Sequence, residues 1–156
     1  WDSFVANGVK VKLKKFKLKL IDNTEIKSSE IKKKILFFYP KAMTSGCTIE
    51  VCDFQSNLNK FKKFGFDIIG ISKDDTERNL KFAEKYKIKY PLASDEDKVC
   101  EKLGIWIEKS MYGKKYFGIS RSTFMIDSKG KVFKYWKNVK VSGHVKEVLE
   151  TAKNCP

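Results

Sequence analysis

The part of the sequence that decides the fold is residues 37–52, which read FFYPKAMTSGCTIEVC. The apolar run at residues 35–39 predicts a buried strand, and Pro40 ends it because proline has no N–H to continue a ladder. A turn-rich segment then brings Cys47 to the expected start of a helix. We therefore expect a strand, a turn and a helix, with the chemistry at the turn.

Cys47 is the candidate nucleophile. The unpaired N–H groups and the positive dipole end of a helix N-terminus favour a thiolate, which is the reactive form of cysteine. Thr44, three residues earlier, offers a hydroxyl that can donate to a thiolate or to a molecule bound beside it. Pro40 offers a rigid wall with no competing donor. These three residues form the predicted site.

Cys52 follows five residues after Cys47. A helix over residues 47–63 would place Cys47 on one apolar face together with Val51, Phe54, Leu58 and Phe61. Cys52 would then lie about 140° round the helix axis, with its Cα roughly 8–9 Å from that of Cys47. A disulfide needs less than about 7 Å, so the first helical turn must unwind if the two cysteines pair. The motif predicts a two-state element.

The string Pro40-x-x-x-Thr44-x-x-Cys47, with Cys52 five residues on and Arg121 far downstream, resembles the peroxiredoxins. The spacing of the two cysteines resembles the peroxiredoxin Q class, also called bacterioferritin comigratory protein. The likeness continues in order and spacing over nearly the whole chain. It implies a thioredoxin-like fold and a thiol peroxidase that requires no metal, haem or flavin.

The resemblance also implies a role for each site residue. Cys47 would reduce hydrogen peroxide or an alkyl hydroperoxide and become a sulfenic acid, while Thr44 and Arg121 hold the peroxide beside Pro40. Cys52 would resolve the sulfenic acid as an intramolecular disulfide, and thioredoxin or a glutaredoxin-type dithiol would recycle it. The family likeness favours a monomer.

Arg121 stands at the entrance of an apolar strand in a chain that uses lysine for nearly all its positive charge. Such a position indicates a need for a planar, permanently charged donor fork, which would stabilise a thiolate and hold a peroxide oxygen. A surface ion pair is the alternative interpretation. Arg78, inside a predicted helix, is expected to be a surface residue.

The composition is that of a soluble globular protein, with 42% hydrophobic and 33% charged residues and no apolar run of membrane-spanning length. A chain of 156 residues predicts one domain over residues 1–156. Because it begins at Trp1 and not at Met, we expect a fragment, a processed form or a trimmed chain.

The formal net charge of +14 comes almost wholly from lysines scattered along the sequence. This scatter favours a solvated surface over a dedicated nucleic-acid function, since nucleic-acid readers rely on arginine for bidentate contacts. Weak, salt-sensitive attraction to polyanions is still expected. The charge is compatible with the nucleus as well as the cytoplasm.

Four cysteines are too few for a secreted disulfide scaffold, and C-x4-C is not a usual zinc spacing, so a reducing intracellular compartment fits best. Cys100 is expected to pack as a small apolar side chain. Cys155 is expected to be a frayed thiol, with an alternative resolving partner as the second interpretation. The only histidine, His144, lies in the segment Ser142-Gly143-His144, which is expected to cap a helix, so that a Cys–His catalytic pair is the less favoured interpretation.

Other classes of function stay open from the residues alone. A general disulfide oxidoreductase would want a Cys-x-x-Cys motif, which the sequence lacks. A redox sensor or chaperone could use the same cysteines with slow turnover. A basic nucleic-acid-binding module would bind with salt-dependent affinity without needing Cys47.

The order of predicted elements gives the fold class. An N-terminal hairpin over residues 9–20 and 24–27 precedes a βαβ unit whose second strand is 66–71, with Gly65 ending its helix. A helix from residue 76 with Leu80, Ala83 and Tyr86 inside, and a shorter one opened by residues 95–97, come next. Then follow a hairpin or loop near Trp106, strands 122–126 and 131–136, and a last helix with an apolar face of Val145, Val148, Leu149 and Ala152. The order βαβ, then α, then ββα is that of a thioredoxin-like fold.

Overall fold

A computed structural model describes residues 16–22, 24–27, 30–40, 45–95, 99–102, 105–128, 130–136, 139 and 143–153. Within these residues the chain is mixed α/β. The strands are β1 (Lys17–Leu20), β2 (Glu25–Lys27), β3 (Lys34–Phe38), β4 (Asp67–Ser72), β5 (Leu92–Ser94), β6 (Trp106–Met111), β7 (Lys114–Ile119), β8 (Ser122–Ile126) and β9 (Val132–Trp136). The helices are α1 (Ser45–Ser56), α2 (Leu58–Lys63), α3 (Thr76–Lys85), α4 (Val99–Lys102) and α5 (His144–Lys153).

Seven strands form one sheet in the order β2-β1-β5-β4-β3-β8-β9, and β6 and β7 form a separate two-stranded sheet. Strands β3, β4 and β5 are parallel, whereas β8 runs antiparallel to β3 on its other side. The predicted βαβ unit and the later ββα order are both confirmed. The arrangement puts β3 near the centre of the sheet, so that its end is the natural place for a site.

Alternate residues of β3 serve two apolar cores, one on each face of the sheet. Phe37 faces the helical layer of α1 and α5, where its ring stacks on Phe54 with 4.5 Å between centroids. Phe38 faces the opposite core and meets Phe124 edge-on at 5.6 Å. Because β3 is buried on both sides, its sequence reads as a continuous apolar run.

The helix predicted over residues 47–63 begins earlier, at Ser45, and is divided at Asn57. The Asn57 N–H donates to the Phe54 carbonyl, and its side-chain Nδ2 donates to the Asp53 carbonyl at 2.9 Å. An asparagine side chain competes in this way for helical carbonyls, which explains the break. The predicted inner face is nevertheless confirmed at its four apolar side chains, which are buried: Val51, Phe54, Leu58 and Phe61. Its fifth member, Cys47, has a side chain outside the described residues.

The predicted inner face of α3 is wrong at Leu80, which is 39% exposed. The buried positions are Asn79, Phe82 and Ala83, and Tyr86 packs at the edge of the core. Asn79 faces inward because it accepts from the Tyr39 hydroxyl at 2.6 Å and donates to the strand ends. A buried polar residue with several partners has taken the place that hydrophobic periodicity gave to a leucine.

The remaining elements agree with the expectations wherever the structure describes them. The N-terminal hairpin is present as β1 and β2, and β1 also pairs with β5. Gly65 has φ +84° and its N–H donates to the Lys62 carbonyl, as predicted for the residue that ends a helix. Strand β5 was not predicted, since three residues carry almost no pattern. Residues 9–15 of the predicted hairpin lie outside the described residues, as does Leu103, which was expected on the short helix that became α4.

None of the helices in the described ranges is long and apolar enough to cross a membrane.

Candidate active site

The candidate site lies where β3 ends and α1 begins. The Tyr39 N–H donates to the Ile71 carbonyl at 2.9 Å, so the pairing of β3 with β4 extends up to Pro40. The strand ends before Pro40, as predicted, and Pro40 is partly buried at a bend of the chain. Helix α1 begins at Ser45, and Cys47 therefore lies in its first turn. Thr44 and the side chain of Cys47 lie outside what the structure describes.

Strand β8 brings Arg121 to this end of β3. The two strands pair antiparallel with Phe38 opposite Ser122, which puts the preceding residue, Arg121, at the end of β3 that leads to Pro40. Its backbone is fixed there because its carbonyl accepts from the Val139 N–H at 2.9 Å. Sheet topology, and not sequence proximity, brings Arg121 to the helix that carries Cys47.

Arg121 forms an ion pair with Glu50 of α1, 71 positions away in the chain. Its Nη1 donates to Glu50 Oε1 at 2.8 Å, and the side chains are 16% and 0% exposed. The alternative of a surface ion pair is therefore wrong, because this pair is buried. By contrast, Arg78 is a surface residue as predicted, since its side chain is 45% exposed and pairs with Asp74.

Glu50 is an unusual carboxylate. Burial raises its pKa to about 7, against the opposing attraction and hydrogen bond of Arg121, and the nearby Asp53 adds to the rise. Its second oxygen, Oε2, is buried and has no hydrogen-bond partner among the residues that the structure describes. A single guanidinium contact does not offset the loss of water, so Glu50 changes charge near neutral pH.

Cys52 lies within α1 as a free, partly buried thiol. Burial raises its pKa, and the neighbouring charge of Asp53 raises it further. Both cysteines occupy one continuous helix, in which residues five apart have Cα atoms roughly 8–9 Å from each other. In this conformation their backbones are too far apart for a disulfide.

The second half of α1 is fixed to the body of the protein by polar contacts. The Tyr90 hydroxyl donates to the Val51 carbonyl at 2.6 Å. The Gln55 side chain accepts from the Lys89 N–H at 2.9 Å and donates to the Lys87 carbonyl at 3.3 Å. These contacts hold α1 from Val51 onward.

The segment at residues 142–144 was expected to cap a helix, and α5 indeed begins there, with the Glu147 N–H donating to the Gly143 carbonyl at 3.2 Å. Ser142 lies outside the described residues. His144 is the first residue of α5 and is buried, and its Nε2 shares a 2.8 Å hydrogen bond with the Thr123 hydroxyl. Its ring lies between Phe54 and Trp136. Burial lowers its pKa to about 4, so the ring is neutral near pH 7 and joins α1 to α5 by packing.

Cys100 packs as a small apolar residue, as predicted. It is a residue of α4 and is fully buried in the core, and burial raises the pKa of its thiol, with the Asp95 carboxylate adding to the rise. An inert buried thiol of this kind is a poor nucleophile. Cys155 lies outside the described residues.

Glu50 is the residue that sequence reasoning missed. An acidic side chain in a strongly charged protein is ordinarily assigned to the solvated side of a helix. The signal was its spacing: three residues after Cys47 and four before Phe54, it shares the inward face of α1. A carboxylate on an apolar face requires a cation, and the two arginines were the available candidates for a planar partner.

Comparison with known proteins agrees with the fold and the motif. Residues 9–135 match the AhpC/TSA family. Peroxiredoxin Bcp of Bacillus subtilis is 45% identical over 132 residues, covering 83% of this chain and 84% of the relative. Peroxiredoxin Bcp of Escherichia coli K12 is 46% identical over 120 residues, covering 76% and 77%.

Among solved structures, one of the Xanthomonas campestris bacterioferritin comigratory protein superposes with a TM-score of 0.83 and 36% identity, covering 89% of this chain and 90% of the other. That protein is described as having alkyl peroxide reduction activity. The similarity confirms the predicted thioredoxin-like fold. The chain belongs to the peroxiredoxin family of thiol peroxidases, in the class named Bcp or peroxiredoxin Q.

Proposed function

We propose that Cys47 of this chain reduces hydrogen peroxide and alkyl hydroperoxides, and that Cys52 resolves the product. The observation that supports the proposal most strongly is the ion pair between Arg121 and Glu50. Glu50 lies one helical turn after Cys47, so the pair holds a permanent cation next to the first turn of α1. Alkyl peroxide reduction by the Xanthomonas relative agrees with this substrate class.

The first step forms an S–O bond and breaks an O–O bond. The Cys47 thiolate attacks the terminal oxygen of the peroxide, which stays on the sulfur with its hydrogen as a sulfenic acid, and the other oxygen leaves as hydroxide or alkoxide and takes a proton from solvent to become water or an alcohol. Arg121, Thr44 and the Cys47 N–H would stabilise the charge that passes to the leaving oxygen. Pro40 would close the pocket on the side of β3 without adding a donor.

The second step forms a disulfide. The Cys52 thiolate attacks the sulfenic sulfur, the S–S bond forms, and hydroxide leaves as water after taking a proton. Because both cysteines lie in α1, the helix must unwind between them first. An external dithiol, thioredoxin or a glutaredoxin-type protein, would then reduce the disulfide by thiol exchange.

The assembly and the partners complete the proposal. The chain would act as a monomer of one domain in a reducing compartment. Its excess of lysine would give weak, salt-sensitive association with polyanions such as nucleic acids, without a dedicated site.

A steady-state peroxidase assay with thioredoxin tests the assignment. Cys47→Ser should abolish peroxide consumption, and turnover retained by this variant would refute the central role of Cys47. Cys52→Ser should keep the first oxidation and lose the monomeric disulfide. Mass spectrometry showing Cys47 paired mainly with Cys100 or Cys155 would refute the role of Cys52. Peroxide consumption too slow for an enzyme would favour a sensor.

A further inference from the structure

Helix α1 is attached to the rest of the protein by two kinds of polar contact, neutral hydrogen bonds and a buried ion pair. Gln55 and Val51 are held by neutral hydrogen bonds to the segment at residues 87–90. Glu50 is held by the buried ion pair with Arg121. Glu50 is also the acidic residue that lies between the two cysteines of the proposed disulfide.

We propose that Glu50 is a positioning residue for both steps of the cycle: it orients Arg121 while α1 is folded and, by its protonation state, sets how readily α1 unwinds for resolution by Cys52. This inference rests on the proposed function. In this proposal the Glu50 side chain affects the rates of both peroxide reduction and disulfide formation.

The geometry makes the pair an obligatory part of the unwinding. Bringing residues 47 and 52 into disulfide range requires the helix between them to unwind, and Glu50 lies in that stretch. The Arg121 guanidinium donates to Glu50 at 2.8 Å, and the backbone of Arg121 is held in place by Val139. Glu50 therefore cannot keep this contact when the turn of α1 that carries it unwinds. Unwinding therefore separates Glu50 from Arg121 and exposes a carboxyl group that was fully buried.

The separation is linked to a proton. Burial raises the pKa of Glu50 from its ordinary value of 4.5 to about 7 in the folded helix, and exposure returns it toward 4.5. The protonated carboxyl stabilises the folded helix, fully below pH 4.5, and this stabilisation is lost as the pH rises through about 7. Raising the pH through this window therefore favours unwinding, by at most about tenfold per pH unit for one linked proton.

Arg121, Tyr90 and His144, which surround Glu50, do not change charge between pH 4.5 and about 7. Arg121 keeps its charge at all relevant pH values. Tyr90, which faces Glu50 from the segment before β5, has a pKa raised well above its ordinary value by burial and stays neutral. His144 on α5, with a pKa of about 4, is neutral across the window. Asp53 on α1 itself is a neighbouring acid that raises the pKa of Glu50.

Cys52 has its own pH dependence, which must be separated from that of Glu50. Burial raises the pKa of its thiol above the ordinary value of 9.0, so its thiolate fraction rises steadily over the whole range from pH 4.5 to 8. This effect adds a constant slope to the logarithm of the resolution rate. Glu50 adds a second slope that ends near pH 7.

Single-turnover experiments on the full chain without reductant test the proposal. The reduced protein is mixed with one equivalent of hydrogen peroxide at pH values from 5 to 8, quenched with an alkylating agent, and sorted by mass into thiol, sulfenic acid and disulfide. The ratio of the disulfide-forming rates of wild type and Glu50→Gln should rise by about tenfold or more between pH 5 and 7 and then level off. A ratio independent of pH would overturn the proposal.

A second arm tests the orientation of Arg121. Glu50→Ala should slow sulfenic acid formation by at least about tenfold, and Glu50→Gln, whose amide oxygen can still accept from Arg121, should restore a large part of that rate. Equal rates for wild type and Glu50→Ala would remove Glu50 from positioning. Glu77→Gln is the matched control, because Glu77 is an exposed acid of α3 paired with Lys81, and it should reproduce the wild-type profile.

Failure of this inference is distinguishable from failure of the proposed function. If the wild type forms no sulfenic acid at Cys47, the proposed function fails. If it forms sulfenic acid but the slope below pH 7 equals the slope above, only the role of Glu50 fails. If Glu50→Gln does not fold, the pH dependence of disulfide formation in the wild type is sufficient. The proposal requires the slope of the logarithm of this rate against pH to decrease near pH 7.

Discussion

Glu50 and Asp95 are two buried carboxylates that each pair with a cation, but they differ in the hydrogen bonds that they accept. Glu50 meets Arg121 at 2.8 Å, and Asp95 meets the Lys73 Nζ at 3.2 Å. Asp95 also accepts from two backbone N–H groups of α4, those of Val99 at 2.7 Å and Cys100 at 2.9 Å. Glu50 Oε2 has no such partner in the described part of the chain.

The pKa values of the two groups move in opposite directions. Burial alone would raise both, but the N–H groups of Cys100 and Val99, with the charge of Lys73, hold the pKa of Asp95 below its ordinary value. The pKa of Glu50 rises to about 7 instead. The number of hydrogen-bond donors, more than the presence of a cation, decides whether a buried carboxyl stays charged. Asp95 is a permanent helix anchor, and Glu50 is a titratable one.

Replacing Asp95 should give the largest effect on stability. Asp95→Asn removes a charge that two N–H groups and Lys73 all contact, and its amide NH2 would face one of these donors. We expect the free energy of unfolding to fall by about 2–4 kcal/mol, measured by urea denaturation at pH 7. Glu101→Gln, which alters only the half-exposed partner of Lys73, serves as the control and should lose less than about 1 kcal/mol. A loss of less than about 1 kcal/mol for Asp95→Asn would contradict the proposal that Asp95 stabilises the start of α4.

Replacing the cation on the Glu50 side should affect catalysis more than stability. Arg121→Lys keeps the charge but loses the planar fork, so the rate of sulfenic acid formation should fall by about tenfold while the fold stays intact. Arg78→Lys is a matched control, since Arg78 is the other arginine of the chain and lies on the surface. An unchanged rate in Arg121→Lys would remove Arg121 from the site.

The pH dependence of global stability should separate the two carboxyls. The stability that comes from Asp95 is present above its ordinary value of 3.8 and is lost as the pH falls through its lowered pKa. The contribution of Glu50 is present below 4.5 and is lost as the pH rises through about 7.

Relative to wild type, Glu50→Gln should therefore gain about 1–3 kcal/mol of stability between pH 5 and pH 8. Urea unfolding of both proteins at the two pH values measures this difference. A difference that stays the same from pH 5 to pH 8 would show that Glu50 is already charged at pH 5 and would contradict the raised pKa.

The smallest effect is expected at Lys73. Its ammonium contacts Asp95 and Glu101 and lies 4.8 Å from the ring centre of Trp106, but the side chain is 27% exposed. Lys73→Met should cost about 0.5–1 kcal/mol, because the two N–H donors still hold Asp95. A loss equal to that of Asp95→Asn would mean that the cation, and not the N–H groups, keeps this carboxyl charged.

The sequence predicted the parts of the fold that rest on long apolar patterns. Strands β3, β4 and β8 are runs of buried residues, and the burial of Val51, Phe54 and Phe61 follows from helical spacing. The break at Asn57, the three-residue β5 and the inward Asn79 depend on side-chain hydrogen bonds, which periodicity does not contain.

At the site, the motif predicted Pro40 after β3 and Cys47 in the first turn of α1. It did not predict what Arg121 contacts. Pairing of Arg121 with Glu50 depends on the register of β8 against β3, and register comes from the packing of the whole sheet. The spacing puts Glu50 on the inward face of α1 but leaves both Arg78 and Arg121 as candidate partners, so the partner could be identified only in three dimensions.

The packing of His144 gives the protein an internal optical reporter. The Trp136 indole lies 5.7 Å from the His144 ring, which in turn lies 6.2 Å from the ring of Phe54 in α1. A conformational change of α1 that moves Phe54 will therefore alter the surroundings of Trp136 and its emission. Of the other two tryptophans, Trp106 stacks on Phe117 in the separate β6–β7 sheet, and Trp1 lies outside the described residues. Stopped-flow fluorescence could thus time the opening of the helix without any added label.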